Sequence, residues 1–212
     1  VVDLSRAFID SAGAKHYAKA CVGAVEDKDP FHQEIPGKDL KEKIFHVMGM
    51  PNVTSQKGLI ENFDSTIGRS TVLMPFGGCL QATETQVSVQ KLPVDTYTDT
   101  ASMMAFGYNP YIASWSPYHG AAYSVVEACA KVVAAGGEWS RMRFSYQEYF
   151  ERMTHDPHSW GKPLSALLGA LKMQLALGLP SIGGKDSMSG TFEDINVPPT
   201  LIAFGITTVA AN

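Results

Sequence analysis

The sequence predicts an α+β domain in which helices cover a sheet, and three observations carry that reading. Short runs alternate apolar and polar residues, as at 86–92, where Val87 and Val89 stand between polar neighbours. Two longer runs, 121–135 and 163–178, are apolar or small at helical spacing and close on glycine. At 212 residues and 45% hydrophobic composition, the chain has enough apolar surface to bury a core between them.

The elements follow in chain order. Residues 3–11 carry Leu4, Phe8 and Ile9 at helical spacing, and Gly13 stands where a short helix stops. Residues 17–25 fit either a small-residue helix or a strand. Residues 26–40 are charged and proline-marked without an apolar period, which predicts a linker or a flexible surface loop. Asp39 is placed to cap a helix whose apolar side chains are Leu40, Ile44, Phe45, Val47 and Met48, ending at Gly49 and Pro51. The polar run 52–57 reads by itself as an exposed connection. Strands are predicted at 69–74, 86–92 and 96–104. Asp99 falls inside the third, where a carboxylate must face solvent or be held by a cation.

Two turn-like aromatic stretches, 108–111 and 115–120, lead into the helix at 121–135. Its only charged side chains are Glu127 and Lys131, four residues apart. That spacing suits a weak surface ion pair, and a carboxylate in so apolar a helix equally suits a metal ligand beside a ligand crevice. A fourth strand is expected at 139–144, a short amphipathic helix at 146–153, a loop at 156–161, and then a helix with Pro163 in its first turn and Gly178 as its stop. Leu201–Val209 is the apolar last strand.

Before that strand, 177–190 reads as a helix end, a short buried strand and a loop of small and charged residues. Gly183 and Gly184 permit close backbone approach, and Lys185 with the hydroxyls of Ser187 and Ser189 suits phosphate oxygens, so the loop is an anion site in outline or else a solvated turn. The spacing is not that of a Walker A loop.

Composition excludes several classes. Lys and Arg number 17 against 21 Asp and Glu, a net charge of -4, so there is no electrostatic footprint for nucleic acid or an anionic membrane. Cys21, Cys79 and Cys129 form no Cys-x-x-Cys pair and read as reduced cytosolic thiols. No apolar run is long enough to span a bilayer, and His155 with His158 is read as surface rather than as a metal pair. The start at Val1 lacks both an initiator Met and a basic signal region, so the chain is expected to be soluble, cytoplasmic and cut from something longer.

Five motifs are specific in combination: residues 51–57 (PNVTSQK), 97–100 (YTDT), 116–120 (SPYHG) leading into Glu127, 183–189 (GGKDSMS) and 197–200 (VPPT). In this order the chain resembles phosphoribosylformylglycinamidine synthase, the glutamine-dependent ligase of purine biosynthesis. It is most similar to the second of that family's two domains of the type found at the N-terminus of aminoimidazole ribonucleotide synthetase. The resemblance covers essentially the whole chain, with 1–50 as a leading helical and linker segment and 51–212 as the synthetase-type domain.

It implies a mixed four-stranded sheet with helices on one face and the other face free to pair into a barrel-like dimer or pseudodimer. It also implies that the full enzyme uses ATP and glutamine to convert formylglycinamide ribonucleotide to formylglycinamidine ribonucleotide. The partners would be the remaining synthetase and glutaminase domains, and the isolated piece would be inactive and form a homodimer. An alternative is a scaffold half whose nucleotide does not turn over. The implied cofactors are Mg2+ and ATP or ADP. The implied nucleotide-binding residues are Asn52, Lys57, Lys185 and Ser187. The implied metal ligands are Asp99 and Glu127, sharing one cluster, with Asp95 as a second candidate for the aspartate. Lys131 departs from several relatives, which have asparagine one turn after the glutamate, and an ammonium cannot ligate magnesium.

Overall fold

A computed structural model describes residues 2–11, 17–27, 29–32, 34–64 and 68–211. In chain order, the helices are α1 (Arg6–Ser11), α2 (Leu40–Met48), α3 (Lys57–Leu59), α4 (Pro110–Trp115), α5 (Pro117–Ala134) and α6 (Pro157–Leu177). The strands are β1 (Phe76–Gly77), β2 (Thr83–Glu84), β3 (Ser88–Lys91), β4 (Thr100–Gly107), β5 (Arg143–Tyr149), β6 (Ser181–Ser187), β7 (Thr191–Phe192), β8 (Ile195–Asn196) and β9 (Thr200–Ala210).

Among the described residues the main sheet has five strands in the order β3-β4-β9-β5-β6, one more than the four expected. It is mixed: β5 and β6 run parallel, and the other neighbours are antiparallel. At its edge β6 runs through residues 181–187, where a short buried strand was expected to give way to an anion-binding loop; the strand is longer and exposed. A second revision concerns 146–153, expected as a helix. Residues 143–149 are a strand in which Phe144, Tyr146 and Glu148 are buried and alternate with more exposed neighbours. That alternation is a strand period, and only the inward carboxylate hides it. The run 69–74 contributes just an isolated bridge, Thr71 to Gln90, and the strand sought at 96–104 begins at Thr100 and runs on to Gly107.

Both long helices start earlier than periodicity suggested, because a cap and a proline precede the apolar run. Ser116 accepts from the His119 amide with Pro117 in the first turn, and Asp156 accepts from the His158 amide with Pro157 in the first turn. Pro163 therefore lies inside α6. That helix ends as expected, at Gly178 in the left-handed conformation (φ 67°).

Helices α5 and α6 pack on each other and on one face of the sheet. The core lies between, built from Ala101, Met103, Val125, Ala128, Val132, Met142, Phe144 and Ala203. On the opposite face Met104, Phe106 and Ile206 are exposed, with the rings of Phe106 and Phe204 6.3 Å apart. Residues 21–26, expected in part as linker, lie against the helices. The Cys21 amide donates to the Pro157 carbonyl at 2.9 Å, and Trp115 Nε1 donates to the Glu26 carbonyl at 3.0 Å. Among the described residues no helix is long and apolar enough to cross a membrane.

Candidate functional site

Because β4 and β5 both run antiparallel to β9, and β6 runs parallel to β5, the C-terminal ends of β4, β5 and β6 lie at one end of the sheet. Helices α4, α5 and α6 begin beyond that end, the usual place for ligands in sheets covered by helices. Four acidic or hydroxyl side chains gather along it: Glu127, Glu148, Asp186 and Thr200. At its β4 corner, Glu127 Oε2 accepts the Tyr108 amide at 3.0 Å, while Oε1 lies 2.8 Å from Lys131 Nζ. The Tyr108 hydroxyl and Thr200 Oγ1 are 2.9 Å apart, which ties the end of β4 to the start of β9. On the far side, Glu148 and Asp186 are register partners across β5 and β6. Glu148 is only 8% exposed, and burial first, then the Asp186 charge, raises its pKa above the ordinary 4.5.

The expected shared ion between Asp99 and Glu127 is not what the fold provides. Asp99 immediately precedes β4, and Glu127 bonds the residue that follows it. Nine residue steps of extended chain separate those ends, roughly 30 Å at the usual strand rise, against metal–oxygen bonds of about 2.1 Å. Asp99 Oδ1 instead accepts the Tyr97 hydroxyl at 2.5 Å and lies 3.5 Å from Lys91 Nζ. The hydrogen bond to Tyr97 is the main reason that the Lys91 pKa is raised, with the Asp99 charge adding to it. Asp95 is exposed on the same approach to β4. Among the described residues, no three His, Cys, Asp or Glu side chains stand close enough to hold one metal ion.

The other expected residues are dispersed. Asn52 is in an exposed turn, and Lys57 Nζ lies 3.7 Å from Glu61 Oε1 and over the Phe76 ring. Lys185 and Ser187 are on β6: Lys185 Nζ donates to the Asp186 carbonyl at 2.7 Å, and Ser187 Oγ is 3.3 Å from Ser189 Oγ. Glu148 was missed from the sequence, although the alternation Phe144, Tyr146, Glu148 points it inward.

Beyond the same end of the sheet is a cleft of about 1230 Å³ between residues 21–26, 29–32 and 34 and the starts of α5 and α6. Trp115, Tyr118, His119, His158 and Lys162 line it. His119 is oriented by Ser116, whose Oγ is 2.8 Å from Nδ1, and its ring packs on Trp115 at 5.0 Å.

No protein-family model matches this chain. Curated relatives do. A phosphoribosylformylglycinamidine synthase subunit PurL of Pyrobaculum aerophilum is 25% identical over 167 residues, 79% of this chain and 22% of that protein. The PurL subunit of Picrophilus torridus is 25% identical over 186 residues, 84% of this chain and 23% of that protein. The chain thus spans about a fifth of the length of the curated relatives it matches, and it resembles one segment of them. Among solved structures, PurL of Thermotoga maritima complexed with ATP superposes with a TM-score of 0.61 at 16% identity, covering 93% of this chain and 27% of that one. The PurLQS structure from the same organism gives 0.60 at 18% identity, covering 74% of this chain and 24% of that one. These two likenesses concern the fold.

Proposed function

We propose that this chain is one segment of a phosphoribosylformylglycinamidine synthase, the ATP- and glutamine-dependent carbon–nitrogen ligase of purine biosynthesis, acting in the cytoplasm. The observation that carries this reading is the similarity to PurL subunits over 76–84% of the chain. The segment supplies a nucleotide-binding end of the sheet and needs the remaining synthetase and glutaminase domains for turnover. Residues 1–50 lead into it, and 51–212 form the synthetase-type domain.

The donor set supports this reading at the β6 corner. Asp186 offers carboxylate oxygens, Lys185 a cation, and Ser187 and Ser189 hydroxyls, the chemistry of a phosphate group with a hard cation such as Mg2+. Glu148 behind Asp186 adds negative charge, which a bound cation relieves. Glu127, on α5, holds the end of β4, and β4 lies three strand spacings from β6, which carries Asp186, roughly 14 Å, so a nucleotide at this end meets the two acids at separate points rather than through one ion. Asn52 and Lys57 are retained as candidate nucleotide contacts from the leading loop. Asp99, at the opposite end, belongs to another surface.

The open face with Met104, Phe106 and Ile206 is the surface for pairing with the companion domain, or with a second copy when the chain is alone. The test is calorimetric titration of the chain with ADP and Mg2+, repeated on Asp186→Asn and Lys185→Ala. Binding weakened about tenfold or more by either change supports the reading. Equal affinity in all three moves the nucleotide elsewhere.

A further inference from the structure

The β4 corner does not fit a divalent ion, because a cation is already built into it. Lys131 Nζ lies 2.8 Å from Glu127 Oε1, donates to the Phe106 carbonyl at 2.9 Å, and sits over the Phe106 ring at 4.5 Å. A carboxylate oxygen, a carbonyl oxygen and the negative face of an aromatic ring are what a positive charge takes as its neighbours. The second carboxylate oxygen is occupied by the Tyr108 amide. The lysine side chain is only 16% exposed, so its charge is held in place rather than swept through solvent. A flexible surface pair would leave the ammonium wet; this one is seated against the free edge of β4, past the point where β3 ends.

We infer that the Lys131 ammonium occupies the cation position of this corner, so that Glu127 takes no divalent ion in this protein and serves as a positioning residue for the end of β4. The clamp runs from α5 to the Phe106 carbonyl and the Tyr108 amide, joining helix and strand on both sides of Gly107. A ligand reaching this corner meets a fixed monovalent charge whose presence does not depend on the magnesium concentration. The inference rests on the proposed function only in taking this end of the sheet as the ligand end.

Mn2+ alone is the probe, its binding counted by electron paramagnetic resonance on the whole chain. Glu127→Gln in the otherwise unaltered protein is expected to leave the number of bound ions unchanged. Lys131→Ala opens the position and is expected to gain one ion per chain, with Mn2+ raising its melting temperature, and the double change Glu127→Gln with Lys131→Ala is expected to lose that ion again. An ion lost on Glu127→Gln alone overturns the inference, and this arm decides even if Lys131→Ala fails to fold. A folded Lys131→Ala protein that gains no ion also overturns it. ADP with Mg2+, titrated into the same samples, reports separately on the nucleotide reading: ADP binding with no ion gained sinks the inference alone, and an ion gained with no ADP binding upholds it and sinks the nucleotide reading.

Discussion

Glu148 shows what a single inward carboxylate does to this fold. It points from β5 toward the helix layer beside Asp186, so its neutral form is favoured by burial and by the neighbouring charge. A pKa raised in the folded state means that the native protein holds the proton more tightly than the unfolded chain. The stabilisation is then fully present below the ordinary 4.5 and lost as pH rises through the raised value. In buffer containing a chelator, Glu148→Gln is expected to remove that part of the pH dependence, so wild type loses stability relative to the variant as pH rises from 4 toward neutrality, roughly the range spanned by a raised carboxyl. Parallel melting curves across that range check it, and curves that keep a constant separation would refute it. The Cys129 thiol and Tyr146 hydroxyl are likewise pushed up by burial, and both belong to the core rather than to the ligand end.

At the scale of elements, close backbone approach decides what can move independently. A Cβ at Gly169 of α6 would stand 2.0 Å from the Tyr118 carbonyl of α5, and one at Gly161 would stand 1.9 Å from the Cys21 carbonyl. The neighbours are backbone atoms and cannot swing aside as side chains do. The two glycines hold different things, however. Gly169→Ala forces the main helix pair apart and is expected to lower unfolding free energy by about 1–3 kcal/mol in urea denaturation. Gly161→Ala lifts residues 21–26 and releases the Trp115 bond to Glu26. It is expected to quicken amide exchange over those residues and change Trp fluorescence while leaving exchange in α5 and β9 slow. If Gly161→Ala loosens the whole domain equally, the leading segment is part of the core and not a strap upon it.

At the scale of the whole molecule, one face of the sheet is covered and the other presents Met104, Phe106 and Ile206 to solvent. An apolar sheet face of this kind associates, and in the absence of a companion domain the nearest partner is a second copy. Sedimentation of the chain is expected to show a concentration-dependent dimer, and Ile206→Lys is expected to shift it toward monomer without altering the melting temperature appreciably. A profile that stays monomeric at high concentration excludes self-pairing through this face.

Particular residues explain how much of this was visible beforehand. Helix α5 was legible because it buries a continuous stripe through Ala121, Val125, Ala128 and Val132, whereas α6 was legible from leucines such as Leu167, Leu168 and Leu171 that stand exposed, the helix packing instead through Ala166, Gly169 and Ala170; the starts of both were misplaced. Strand β6 was read as short and buried because Ser181 through Asp186 are exposed along a sheet edge, so no apolar alternation marks its full length. Glu148 was hidden for the converse reason, since a carboxylate at an inward position breaks the pattern that reveals strands. The sequence by itself determined that sheet and helices share one core and which family the chain resembles, since local spacing and residue chemistry suffice for these. Only the tertiary structure decided which charges meet: Glu127 with Lys131, Glu148 with Asp186, and Asp99 with Lys91. Strand direction and register, which no local signal encodes, place Asp99 and the Glu127 carboxylate beside opposite ends of β4.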